Sequence, residues 1–146
     1  MDPSSTFAIS AAGMALERAR VEVAALNLAN AHTTQAAGQP GFAPLRVVAQ
    51  AAPAGAFAAM LQSGGPAPAL LAPEFRVEAA GVAPRLVHEP GHPMADARGF
   101  VSYPGVDTAT EMVSMLGATR AYEANVAAMN ITRTLAMKAL DIGGQT

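Results

Sequence analysis

Between Ser5 and about Ala31, the residues Ile9, Ala12, Leu16, Ala19, Val23, Leu26 and Asn30 follow one another at alternating three- and four-residue steps without a miss. A line of that period lies on one face of an α-helix, and kept over several turns it forms a seam against a second helix. Met14, Val21 and Leu28 run beside it at seven-residue spacing, while Glu17, Arg18, Arg20 and Glu22 supply solvated or partner-facing charge. No Gly after Gly13 and no Pro after Pro3 interrupts the stretch. A helix of roughly 27 residues at ~1.5 Å per residue spans about 40 Å, longer than a small domain requires.

A second helical stretch stands at the other end of the chain, from Thr108 to about Ile142. Thr108-Ala109-Thr110-Glu111 has capping-box spacing, with Asp107 as the alternative cap, and Gly143-Gly144 is a stop signal. Its seam reads Met112, Met115, Thr119, Tyr122, Val126 and Met129. Arg133 breaks the line before Ala136 and Leu140 resume it. A polar residue in a seam sets register or meets a different partner, and a long Arg also buries its stem while its head stays in water. Met side chains repack easily, so part of this stripe is expected on the N-terminal helix and the remainder on neighbours.

The segment between the helices has a different character. It is rich in Gly, Pro and Ala from Gly38 to Pro73, and 51–68 reads as a flexible loop. Phe75 to Glu78, Pro84 to His88 and Gly99 to Tyr103 read as short strands, with Leu45 to Val48 a weaker one. The fold class is therefore mainly α with a small β element: two long terminal helices in an antiparallel, coiled-coil-like pair, joined by short strands and loops. The parts are a helix over 1–34, a middle region over 35–106 and a helix over 107–146, with the two termini forming one assembly domain.

Composition says how such a chain is stabilised. Of 146 residues 51% are hydrophobic, yet there is no Trp and only five Phe and two Tyr, so alanine supplies much of that figure. Alanine buries little area, and a core built on it gains less from folding alone than the percentage implies; burial between molecules supplies the rest. A net charge of −2 with nine scattered basic residues offers no stripe for phosphates, which speaks against nucleic acid. Without cysteine there is no disulfide, thiolate nucleophile or Cys-based zinc site. Met1-Asp2-Pro3-Ser4-Ser5-Thr6 lacks the basic start and apolar run of a cleaved signal, and no apolar window approaches the ~20 residues that span a bilayer.

Catalytic patterns are sparse. His88, His92 and Asp96, with Glu89 among them, are the one constellation of metal-ligand types, but Pro90, Gly91 and Pro93 make an irregular loop in which helical spacing aligns nothing. A turn with hydrogen-bonded histidines outweighs a metal-dependent hydrolase there. No Gly-x-Ser-x-Gly elbow occurs, and Gly64-Gly65 precede Pro66 rather than a phosphate-binding helix. No catalytic, cofactor or metal residues are assigned, and a structural subunit is the favoured reading over an enzyme.

Three segments carry a resemblance. Asn27-Leu28-Ala29-Asn30-Ala31-His32-Thr33 resembles the Asn-Leu-Ala-Asn-x-x-Thr signature that closes the N-terminal helix of flagellar rod and hook proteins. The run from Glu89 to Asp107 resembles the segment before their C-terminal helix, and Glu111-Met112-Val113 with Ala118 to Asn125 is similar to that helix. The order, spacing and short length point to the basal-body rod members. Phe100 and Gly105 depart from the family's usual Tyr and Asn, the region around Gly41-Phe42-Ala43-Pro44 lacks its usual basic residues, and the 51–68 stretch matches nothing in it.

The resemblance implies a structural subunit of the proximal rod, the drive shaft of the bacterial flagellar basal body. It implies export through the flagellar type III apparatus and assembly in the periplasm. The expected partners are copies of itself, neighbouring rod proteins and the membrane-ring and export-gate region. The interface candidates are Ile9, Leu16, Val23, Leu26, Asn27, Asn30, Thr33, Met112, Met115, Tyr122, Val126, Met129 and Arg133. A secreted coiled-coil adaptor, or another axial structural protein outside the proximal rod, is the alternative.

Overall fold

The computed structural model describes residues 3–36, 39–50 and 74–143. Helix α1 spans Pro3–Asn30, followed by strand β1 at Leu45–Gln50. Strands β2 (Glu74–Ala79), β3 (Arg85–His88) and β4 (Phe100–Tyr103) precede helix α2 at Thr108–Gly143. The fold is thus two long terminal helices around short strands, as the periodicity predicts, and the weakest strand candidate, Leu45 to Val48, is a full six-residue strand. The 51–68 stretch and Gly144 lie outside the described residues.

The strands form two separate two-stranded sheets, β1 with β2 and β3 with β4. In the second, Arg85 pairs Tyr103, Leu86 pairs Ser102, Val87 pairs Val101 and His88 pairs Phe100 in antiparallel register. Val101 is fully buried, and the far side of β4 is met by Gln35, whose amide donates to the Ser102 carbonyl at 3.2 Å. Beside β1, the Ala80 amide donates to the Pro44 carbonyl at 2.7 Å, and Arg46 pairs across to Glu78 at 2.7 Å.

Two compact units share the helices between them. One holds α1 up to Ala19 and α2 from Ala118; the other holds α1 from Arg20, α2 up to Gly117 and the β3–β4 hairpin. In the first, a Cβ built on Gly13 would lie 3.0 Å from the Asn125 side chain, so the helices approach closely there. In the second, Asn27 bonds to Glu111.

The buried line on α1 is displaced by one residue from the line of large apolar side chains. Ser10, Glu17, Ala24 and Ala31 recur every seven residues and are buried, with Gly13 and Asn27 on the same line. On α2 the covered positions include Glu111, Ala118, Asn125 and Thr132, again every seven residues. Small and polar residues let the helix backbones close together, so they occupy the inner seam. Val23 is buried beside it, whereas Ile9 and Leu26 are exposed. Among the described residues the buried apolar core is Val23, Ala24, Ala31, Val101 and Ala118, three of them alanine.

Candidate functional site

The best-built local structure surrounds Asn27. Its side chain is 0% exposed, and both ends of its amide are hydrogen-bonded. The carbonyl accepts the Leu45 amide at 2.9 Å, while Nδ2 donates to the Leu45 carbonyl at 2.9 Å and to Glu111 Oε1 at 2.9 Å. Towards Leu45 the amide behaves as a piece of neighbouring β-strand, matching donor to acceptor at the start of β1. Towards Glu111 it gives a charge-assisted bond, the stronger kind. One side chain therefore ties the end of α1, the start of β1 and the first turn of α2. A buried amide with any of these partners missing would be costly, and no described buried side-chain atom lacks one.

The remaining signature residues close α1. Asn30 Nδ2 donates to the Leu26 carbonyl at 2.8 Å, the Thr33 amide donates to the Asn30 carbonyl at 3.0 Å, and Thr33 Oγ1 reaches Asn30 Oδ1 at 3.5 Å. These bonds satisfy groups that a helix end leaves without partners. At the start of α2, Asp107 is the cap: Oδ1 accepts the Ala109 amide at 3.1 Å and Oδ2 the Thr110 hydroxyl at 2.7 Å. Those bonds, that from the Thr110 hydroxyl foremost, hold the Asp107 carboxyl below the usual aspartate range. Because Asp107 caps, Glu111 is released from a capping box to reach Asn27.

The histidine loop between β3 and β4 is a hydrogen-bonded turn. Asp96 Oδ1 accepts the amides of Arg98 and Phe100, each at 2.8 Å, and these bonds, that from Phe100 foremost, lower its pKa. His92 Nδ1 accepts the Met94 amide at 3.1 Å, His88 packs edge-on to Phe100 at 5.1 Å, and Glu89 accepts the Tyr103 hydroxyl at 3.0 Å. That last bond, which favours the neutral phenol, raises the Tyr103 pKa. Among the described residues no three His, Cys, Asp or Glu side chains converge on one point.

Of the candidate interface residues, Val23 and Asn27 are buried inside the chain. Leu16, Asn30, Met115, Val126 and Met129 are half-buried, and Ile9, Leu26, Thr33, Met112, Tyr122 and Arg133 are exposed. Sequence reading missed the outward residues Val113, Leu116, Ile131, Leu135 and Met137 of α2, which are exposed and apolar together with Leu140 and Ile142. It also missed Glu111 as the partner of Asn27; the seven-residue line through Ala118 and Asn125 was the available signal. No helix is long and apolar enough to cross a membrane among the described residues.

Residues 97–142 match the family model for the flagellar basal body rod FlgEFG protein C-terminal region, a stretch that includes β4 and nearly all of α2. Over almost its whole length the chain is similar to proteins named flagellar basal-body rod protein FlgC. That of Salmonella typhimurium is 38% identical over 94% of this chain and 95% of its own. That of Bacillus subtilis is 36% identical over 92% and 94%, and that of Aquifex aeolicus 33% identical over 92% and 92%.

Proposed function

The chain belongs to the family of the flagellar basal-body rod protein FlgC, and on that premise we propose that it is a structural subunit of the proximal rod, polymerising through its terminal helices to transmit torque. The observation that carries the reading is the division of labour on the helices. Small and polar residues fill the seam within the chain, while Ile9, Leu26, Met112, Leu116, Ile131 and Leu135 face outward. Single exposed apolar residues are ordinary on a protein surface, but a succession of them along a helix is a face that another molecule covers. Exposed faces on both long helices let one subunit touch several neighbours, and stiffness under torsion requires that.

In this reading the two termini make one assembly domain. The partners are copies of the same chain, neighbouring rod proteins and the membrane-ring and export-gate region, with the flagellar type III apparatus engaged in transit. The site of action is the rod within the periplasm, and the chain performs no catalysis. Its polar clusters support this, since Asp96, Asp107, Glu89 and Asn27 are each committed to holding backbone or side chains in place.

The test is deletion of the gene with examination of motility and purified basal bodies by electron microscopy. Loss of the rod, restored by the wild-type gene, is the expected result; intact rods in the deletion strain refute the reading. A Leu26→Asp complement should be exported and folded, because Leu26 is 48% exposed, yet should fail to build rods.

A further inference from the structure

Four charged side chains of α2, Arg120, Glu123, Lys138 and Asp141, are all exposed. Among the described residues none of them makes an ion pair or a side-chain hydrogen bond. The covered line of this stretch, Ala118, Asn125 and Thr132, lies on the opposite side of the helix. At about 100° per residue the four charges share one outward stripe with Ala127, Ile131, Leu135 and Ile142. The three large apolar members of that stripe are 61%, 62% and 76% exposed. All of these residues belong to the unit that holds α2 from Ala118.

The order of the charges selects the partner. Along the helix the signs run plus, minus, plus, minus, at spacings of three, fifteen and three residues. Read in the opposite direction, the spacings are unchanged and every sign is reversed. A second α2 laid antiparallel on the first, with the two-fold axis beside Ile131, sets Arg120 against Asp141 and Glu123 against Lys138, and by symmetry does so twice. A parallel copy in register would set every charge against its like, which complementary interfaces avoid. The apolar positions suit the same antiparallel register: Ile131 meets its own counterpart at the axis, and small Ala127 stands opposite large Leu135.

We propose that in the free protein this face of α2 is covered by the same face of a second copy, in an antiparallel two-fold pair over 120–142. About 23 residues of each helix take part, a length of ~34 Å. Such a contact is self-complementary and closes on itself. A rod grown by one repeated operation keeps its subunits pointing one way, so the pair goes beyond the rod reading. It is a state of the unassembled chain, and on the rod reading it must part before the face meets a neighbour in the rod.

The test follows the mass of the purified full chain by sedimentation equilibrium over the micromolar range. A reversible dimer that weakens as salt rises is expected; a monomer throughout, or an open-ended polymer, overturns the proposal. Glu123→Lys, at an exposed position, should raise the dimer dissociation constant about tenfold by turning two attractions into repulsions, and adding Lys138→Glu should restore it. These two residues stand ~22 Å apart along one helix, so rescue arises only between chains, and its absence overturns the pairing. Orientation is read separately, in a chain that has no cysteine of its own. Ile131→Cys, at the axis, should form an intermolecular disulfide on mild oxidation, whereas Ala124→Cys, ~21 Å from its counterpart, should not. Equal cross-linking at both positions, as in a parallel pair, overturns the antiparallel register. Intact rods in the deletion strain would instead refute the rod reading and leave this pair standing.

Discussion

Asn27→Asp is the sharpest perturbation, because it changes one nitrogen to oxygen at a fully buried site and leaves shape untouched. The new carboxylate still accepts the Leu45 amide, but its second oxygen now faces the Leu45 carbonyl and Glu111 Oε1, both acceptors that were 2.9 Å from the donor it replaces. Two hydrogen bonds are lost, about 1 kcal/mol each in net terms. An uncompensated buried charge beside another carboxylate brings the total to about 3–5 kcal/mol, the range for breaking a buried polar pair. With a urea slope near ~2 kcal/mol/M, the unfolding midpoint should fall by roughly 2 M. Circular dichroism is the suitable probe, since the chain has no tryptophan.

The sign of the pH dependence gives a second readout. Burial and Glu111 raise the folded-state pKa of the introduced aspartate above its unfolded value of about 3.9. Its contribution is therefore fully favourable below that value and is lost as pH rises through the folded pKa, so the gap between variant and wild type should narrow on acidification. Adding Glu111→Gln supplies a side-chain donor towards the introduced carboxylate and should recover about 1–2 kcal/mol. Glu111→Gln alone should cost under about 1 kcal/mol, because its carbonyl still accepts from Asn27. An unchanged urea midpoint for Asn27→Asp, or an equal loss from Glu111→Gln alone, would refute the argument.

The other predictions concern caps and close approaches. Asp96 and Asp107 are held below the usual aspartate range by the bonds they accept, so their stabilisation is present above about pH 4 and is lost as pH falls through the lowered values; acid titration of Asp107→Ala by hydrogen exchange should show the first turn of α2 already open at neutral pH. At Gly105 a Cβ would overlap the Ala83 carbonyl, so Gly105→Ala should destabilise the isolated protein by about 1–3 kcal/mol in thermal unfolding. Gly13→Leu should disrupt the pairing of α1 with α2, since even a Cβ would lie 3.0 Å from Asn125; loss of helical signal and of rod assembly together would be the result, and Gly13→Ala should be much milder.

The extent to which this structure is legible in the sequence depends on which physical signal dominates each region. Period and punctuation suffice for the elements: α1, α2 and β2 to β4 fall where helical steps and turn residues put them, and even β1 is present as a weak apolar run. The partners of polar groups are less legible, because a donor finds its acceptor through the fold. Nothing local says that Asn27 reaches Leu45 and Glu111, or that Asp107 takes the cap that Thr108 is equally spaced to provide. The seam of α1 is the instructive case. Reading large apolar side chains as the inner line is sound when a helix must bury them within its own chain. Here Ser10, Gly13, Glu17, Ala24, Asn27 and Ala31 form the inner line, and Ile9 and Leu26 stand one step away from it, exposed. A chain whose stability came from its own core would have no use for that arrangement, since it leaves the most effective apolar area in water. On the rod reading proposed above, small residues and hydrogen bonds hold the helices together and the large side chains are left for neighbours. The same logic explains why apolar residues on α2, from Val113 to Ile142, lie away from the covered line of Glu111, Ala118, Asn125 and Thr132.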